Sequence, residues 1–369
     1  MEIVLSQDPV LACEVDPTAY GSMTPSMAAT YLRSSHVTTR SFADTLRAMY
    51  PHDDLVERLI RFYVIIGAGV NERSLARRFR NWMSDRSHPT DREDLFRVAF
   101  ALRLTEAQLD YLLGLATSYC IQYRDGRELV LAWFLRNGYG YQEALEFHAS
   151  LPSYAPQEMA VTGMHTHVTR EIQTELVGIR TLDELHEYYL LNMHNFGSQH
   201  LRSYFYFERY LAQLVKPTPS VMANESAYSI ERVMQEYLSM RVPSTRRRDG
   251  LTLAQRFIKS GWPNATTIKD VRNHVIDVPR KLLLLLYVVT ENCGILDDGQ
   301  HLDEYMTLEN RVEDHWWTLN AILNDCGMAA IDPRNAFDWL VLYAIAADTD
   351  EPMSERMEQV IGALFDGEA

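Results

Sequence analysis

Apolar and polar residues along this 369-residue chain alternate with a helical period almost from end to end. From Phe42 onward apolar positions recur three and four residues apart, and no stretch follows the two-residue alternation of a strand. The pattern predicts helices over 42–50, 53–66, 72–84, 91–103, 105–118, 125–137 and 140–150. "LPSYAPQE", 151–158, interrupts it with two prolines. Helices resume over 165–178, 181–194, 198–214 and 226–241, and stop again at the linker "RVPSTRRRDG", 241–250. A last group covers 251–260, 266–275, 279–292, 303–326, 333–347 and 353–365. The expected fold class is all-α and multi-helical. Residues 1–40, rich in Ser, Thr, Pro and Ala with weak periodicity, are expected to form an extended, irregular arm with at most short helices. The breaks divide the remainder into 41–150, an aromatic-rich middle segment with its linker over 151–245, and 246–369.

The first and last of these parts read alike. "DREDLFRVAFAL" (91–102) aligns with "DVPRKLLLLLYVV" (277–289), setting Arg92 on Arg280 and Leu95, Phe96, Ala99 and Phe100 on Leu283, Leu284, Tyr287 and Val288. "LLGLATSYCIQYRDGRELVLAWFL" (112–135) parallels "ILNDCGMAAIDPRNAFDWLVLYAI" (322–345). In both, a Leu-rich helix ends at a small-residue turn, an Ile-x-x-Arg step follows, and aromatic residues occupy matching places in the next helix. Helix order and end points agree while identities are few, so the chain is expected to hold an internal duplication. Arg92 and Arg280, at equivalent helix starts, are expected to bind loop carbonyls or a carboxylate.

Helix 72–84 carries the most distinctive chemistry. Leu75, Phe79, Trp82 and Met83 recur at i, i+4, i+7 and i+8 and form a stripe that should face a core. Arg73, Arg77 and Arg80 recur at i, i+4 and i+7 on another face. An exposed basic row opposite a packed apolar row is what a helix needs to enter a major groove, where guanidinium groups fork onto guanine edges or clamp phosphates. Gly67 and Gly69 stand in the preceding turn. "SLARRFRNWMSDRSHPTDREDLFRVAFALRLTEAQLDYLLGLA" resembles the phage-repressor-like (Xre-type) helix-turn-helix domain. The resemblance covers about 42–118 and extends toward 150. Arg86 and Pro89 match the loop after the recognition helix, Leu102-Arg103-Leu104-Thr105-Glu106 the step that follows, and Leu112-Leu113 the last helix. "LAQRFIKSGWPNATTIKDVRNHVIDVPRKLLLLL" is similar more faintly, as a second, degenerate copy. The resemblance implies DNA contact by Arg73, Arg77, Arg80, Asn81 and Arg86, and in the second copy by Lys269, Arg272 and Asn273. Two departures stand out: no glycine occupies the loop Ser84-Asp85-Arg86-Ser87, and Asp85 and Asp91 would meet phosphate if that loop lay on DNA.

Charge qualifies this expectation. The chain carries a formal net charge of -15 and a sequence pI near 5.3. Yet 71–103 holds eight Lys and Arg against five Asp and Glu, and 241–281 holds ten against three, whereas 291–369 holds three against eighteen. Phosphate attraction acts over about a Debye length, ~8–10 Å, so local basic islands can bind DNA on an acidic protein. The linker "RRR", 246–248, is available to phosphates or to the acidic C-terminal segment. That segment in turn suits a basic protein partner.

Other chemistries find less support. Cys13, Cys120, Cys293 and Cys326 form no CxxC or zinc-ligand spacing, which suits free thiols in a reducing cytoplasm. The N-terminus lacks a signal-peptide pattern, and "KLLLLLYVV", 281–289, is far short of the ~20 residues of a membrane span. His148, His165, His167, His186, His194 and His200 cluster in sequence, but helical i and i+2 residues point apart and no i, i+4 pair occurs, so no metal is expected. Asp183, Glu184 and Glu187, or Glu313 and Asp314, crowd as on many helix faces, and no nucleophile elbow, phosphate loop or dinucleotide fingerprint is present. No catalytic residue and no cofactor is expected. The tyrosine-rich stretch 187–211 suits a ligand pocket, a dimer interface or an aromatic core. Two functions follow from this reading. One is a cytoplasmic, homodimeric transcription regulator that reads duplex DNA with the basic face of 72–84. The other is a non-enzymatic helical scaffold that keeps the helix-turn-helix fold without DNA binding.

Overall fold

Local capping chemistry sets most helix boundaries. The structure, a computed structural model, describes residues 3–4, 14–34, 41–69, 71–153, 168–196, 201–215, 228–243, 250–290, 307–347 and 351–366. After a two-residue antiparallel ladder pairing Ile3 with Val15 and a 3-10 turn over Pro17–Tyr20, all described elements are helical. The first is α1 (Pro25–Arg33). Then come α2 (Phe42–Met49), α3 (Leu55–Ile65), α4 (Glu72–Met83), α5 (Arg92–Leu102), α6 (Glu106–Thr117), α7 (Gly126–Arg136), α8 (Tyr141–Ser150), α9 (Val168–Gly178) and α10 (Leu182–Asn192). The rest are α11 (Leu201–Val215), α12 (Ile230–Val233, continued by a π turn to Leu238), α13 (Leu253–Lys259), α14 (Ala265–Arg272), α15 (Arg280–Thr290), α16 (Leu308–Asp325), α17 (Ala336–Ile345) and α18 (Met353–Phe365). Thr105, Thr181 and Thr252 each begin a helix with a reciprocal capping box, to Gln108, Glu184 and Gln255. The all-α reading holds. Among the described residues no helix is long and apolar enough to cross a membrane.

Two buried cores organise these helices. One gathers the apolar faces of α2–α8 and also takes Ile172, Leu176, Leu185, Tyr189 and Phe196. The other gathers α13–α18 and takes Phe207, Tyr210, Leu211 and Leu214 of α11 with Ile230, Val233 and Leu238. The segment 151–245 is therefore not a body of its own, because its two parts pack into different cores. Its tyrosine-rich stretch is divided in the same way. Tyr189 and Phe196 are buried in the first core and Phe207 and Tyr210 in the second, so these rings do not line one pocket.

The arm over 1–40 does hold a short helix, and that helix is docked on the second core. Thr24 caps α1 and Pro25 fills its first turn, and Ala28, Ala29 and Leu32 are buried against the second core. Arg33 donates to the carbonyls of Ala363 (2.7 Å) and Leu364 (2.8 Å) at the end of α18. Arg356 returns the contact, donating to the carbonyls of Tyr20 and Gly21, both at 3.0 Å. A stripe of only three small or apolar residues is weak as a periodic signal but enough to dock a nine-residue helix.

The two halves carry matching hydrogen-bond sets. Arg92 opens α5, forks onto Glu128 (2.6 and 2.7 Å), and donates to the carbonyls of Tyr119 (2.9 Å) and Cys120 (2.7 Å). Arg280 opens α15, forks onto Asp338 (2.6 and 2.8 Å), and donates to the carbonyls of Ala329 (2.9 Å) and Ala330 (3.0 Å). Both carboxylates accept a loop N–H, from Gln122 and from Asp332. Asp125 and Asn335 cap the following helices alike. Each arginine thus ties a helix start to the loop before the helix that holds its carboxylate, as expected of both. The matched loops meet antiparallel at a bridge between Tyr119 and Met328, with Cys120 N–H donating to the Gly327 carbonyl at 2.9 Å. Close approach there requires Gly114, since a Cβ at that position would lie 2.5 Å from the Ala329 Cβ.

Candidate nucleic-acid interface

Asn71 starts α4 by accepting the Arg73 N–H at 2.8 Å, and Leu75, Phe79 and Trp82 then fall on its buried side. Phe79 packs against Tyr63 of α3 and against Trp82, ring centres 5.0 Å apart in each pair. That packing turns Arg73, Arg77 and Arg80 outward, and all three are exposed. Arg80 Nε donates to the Ala76 carbonyl of its own helix at 3.1 Å, and no ion pair links the three to any described residue. Asn81 is half-buried, and its carbonyl accepts the N–H of Arg86 at 3.1 Å, while the Arg86 side chain is exposed.

A fourth arginine of α4 behaves differently. Arg78 points inward, pairs with Asp94 of α5, and lies over the Trp82 ring at 4.8 Å. Asp94 is buried and also accepts from the Tyr63 hydroxyl (3.1 Å) and Arg97 (3.2 Å). Burial and the Asp94 charge push the Tyr63 hydroxyl far above its ordinary range, so it stays a donor. This cluster fixes the rotation of α4 and hence the direction of its exposed row. Sequence spacing held the signal: Arg78 lies three residues after Leu75 and four before Trp82, on the core stripe and off the basic one.

The loop after α4 resolves the missing glycine. Asp85 takes the left-handed conformation (φ 52°) at the helix end, its N–H bonded to the Trp82 carbonyl at 3.2 Å. With the Arg86-to-Asn81 bond this forms a Schellman end, where glycine is usual and aspartate tolerable. The Asp85 carboxylate accepts the Ala43 N–H at the start of α2 (3.4 Å), and Arg47 of α2 donates to the Met83 carbonyl (2.5 Å). The acidic group therefore serves a neighbouring helix start.

In the second half, α14 ends the same way. His274 (φ 55°) donates to the Val271 carbonyl at 2.9 Å, and Val275 to that of Asp270 at 2.8 Å. Ile268 and Val271 are buried, while Lys269, Arg272 and Asn273 are exposed. Here, however, α11 and α12 pack beside the helix and bring carboxylates. Lys269 pairs with Glu231, and Arg272 lies 3.9 Å from Glu208. The positive face expected of this copy is thus largely neutralised.

Of the other expectations, Cys120 and Cys326 are free thiols, both pushed above the ordinary thiol range by burial. Among the described residues no three His, Cys, Asp or Glu side chains are grouped so as to hold a metal ion. Glu184 caps α10, its carboxyl held low by the N–H groups of Arg180 and Thr181. Cys13, Cys293, His165, His167, His200 and the "RRR" at 246–248 lie outside the described residues. No family model, no curated protein and no solved structure matches the chain.

Proposed function

We propose that this protein is a DNA-binding regulator that lays α4 in the major groove of duplex DNA. One observation carries the reading: Arg73, Arg77 and Arg80 form an exposed row without a carboxylate partner among the described residues, on a helix whose opposite side is locked by Phe79, Trp82 and Arg78. Held rigidly, such a row forks onto base edges or phosphates without first breaking internal pairs. The order α2 to α6, with α4 after the α3 turn and α5–α6 behind, suits the Xre-type resemblance. The matched Arg92 and Arg280 bond sets support a duplicated module. A homodimer supplies the second recognition helix that α14, with its paired cations, does not.

The test is charge reversal on the exposed row. Arg77→Glu with Arg80→Glu weakens retention of a mixed-sequence duplex by about tenfold or more at low salt, with an unchanged melting temperature. Equal retention by wild type and double variant removes α4 from the account. A second reading, a helical scaffold whose acidic C-terminal segment docks a basic protein, is favoured by the neutralised face of α14. In that reading the full chain binds no duplex at any salt concentration.

A further inference from the structure

Between the two halves lies a cavity of about 390 Å³. Its walls come from α6, from the loops that meet at the Tyr119–Met328 bridge, from α16, and from Gln173 of α9. A volume in the range of about 300–1,000 Å³ suits a small organic ligand. Both guanidinium groups in the wall are already engaged, Arg280 with Asp338 at 2.6 Å and Arg334 with Asp332 at 2.7 Å. Asp325 accepts from the Tyr206 hydroxyl at 3.2 Å. Neither Asp325 nor Asp110 of α6 forms an ion pair with a described residue, and the Arg92 guanidinium, clasped to Glu128, acts on Asp110 only from beyond pairing distance. Asp110 accepts the Ile121 N–H at 2.8 Å and lies beside the Cys120 thiol.

The matching position in the other half shows what that structural job requires. Asn320 of α16 occupies it, lines the same cavity, and accepts the Ile331 N–H at 2.9 Å. Its amide also donates to the Trp316 carbonyl at 2.9 Å, a bond no carboxylate can make. A neutral side chain therefore fastens this loop at least as well. The charge of Asp110 is surplus to the fold and is costly in a desolvated wall. Apolar surface from Ile121, Met328 and Ile331 lies beside it.

We propose that this cavity binds a small organic amine, its ammonium group on the Asp110 carboxylate and its apolar body between the two halves. An ammonium gives Asp110 the direct ion pair it lacks, through a charge-assisted hydrogen bond, whereas a carboxylic acid would meet a like charge. The proposal is independent of DNA binding by α4.

Calorimetric titration of the full chain with tryptamine, phenethylamine and spermidine tests it, with indole-3-acetate and phenylacetate as acid counterparts. At least one amine binds the wild-type chain and neither acid does. In Asp110→Asn that amine binds about thirtyfold more weakly or worse, with a cooperative melt retained because Asn320 already shows an amide in this role. Absence of binding by all three amines, binding of the acids in preference, or equal amine binding by Asp110→Asn overturns the proposal. If Asp110→Asn does not fold, the amine-against-acid comparison on the wild-type chain decides.

Discussion

Helices α4 and α14 sit on matched frames and present different surfaces. Each follows a helix and a turn, ends in a left-handed non-glycine residue (Asp85 or His274), and precedes a helix anchored by a forked arginine. On α4, packing against α2 and α3 leaves Arg73, Arg77 and Arg80 unopposed. On α14, α11 and α12 bring Glu208 and Glu231 against Arg272 and Lys269. Position in the fold therefore does not fix the field a helix offers to a polyanion. Its neighbours do, since a carboxylate within about 4 Å cancels most of a cation's reach beyond a Debye length.

The matched frames can be broken unequally, and this is the largest effect we expect. The Arg280 and Asp338 side chains are 9% and 2% exposed, so Arg280→Met strands a buried carboxylate and costs about 3–5 kcal/mol. The Arg92 and Glu128 side chains are 22% and 12% exposed, and Arg92→Met costs roughly 2 kcal/mol because water reaches the carboxylate left behind. Urea midpoints with unchanged slopes check both. Equal losses would mean that burial does not distinguish the two clasps.

The difference in surface can be reduced. Glu231→Gln with Glu208→Gln frees Lys269 and Arg272, and duplex affinity at low salt rises severalfold while the salt slope steepens by about two. Filter binding across a salt series measures it. An unchanged slope would show that α14 faces no phosphate even when its cations are free.

The smallest effect concerns Asp110 against Asn320. Burial raises the Asp110 carboxyl above its ordinary 3.8, helped by the Glu106 charge and opposed by the Ile121 N–H, the Cys120 thiol and the Arg92 charge. A carboxyl raised on folding contributes stability below its unfolded value and loses it as pH rises through the folded value. Asp110→Asn is therefore more stable than wild type near neutral pH. That gain shrinks as pH falls toward the ordinary carboxyl range. Urea midpoints at stepped pH give the sign directly, and a gain that grows on acidification would contradict the assignment.

Much of this was legible in one dimension. Three- and four-residue spacing located nearly every helix from Phe42 onward, because burying one face of a helix requires that period whatever the partner. The repeated Arg92 and Arg280 at helix starts marked the two clasps, although the carboxylates that complete them lie 36 and 58 residues further on. The docking of α1 was hidden, since three buried residues make a short stripe among Ser, Thr and Pro. So was the division of 151–245 between two cores, because periodicity tells that a face is buried and not what buries it.

The sequence by itself determined most of the helices from Phe42 onward and which side of α4 is basic, because these depend on contacts within a few residues along the chain. Only the tertiary structure decided which cations stay free, which carboxylates of the shared cavity lack an ion pair, and where the first helix docks. Coulomb and packing energies depend on distance through space, and the groups that settle them here lie far apart in sequence.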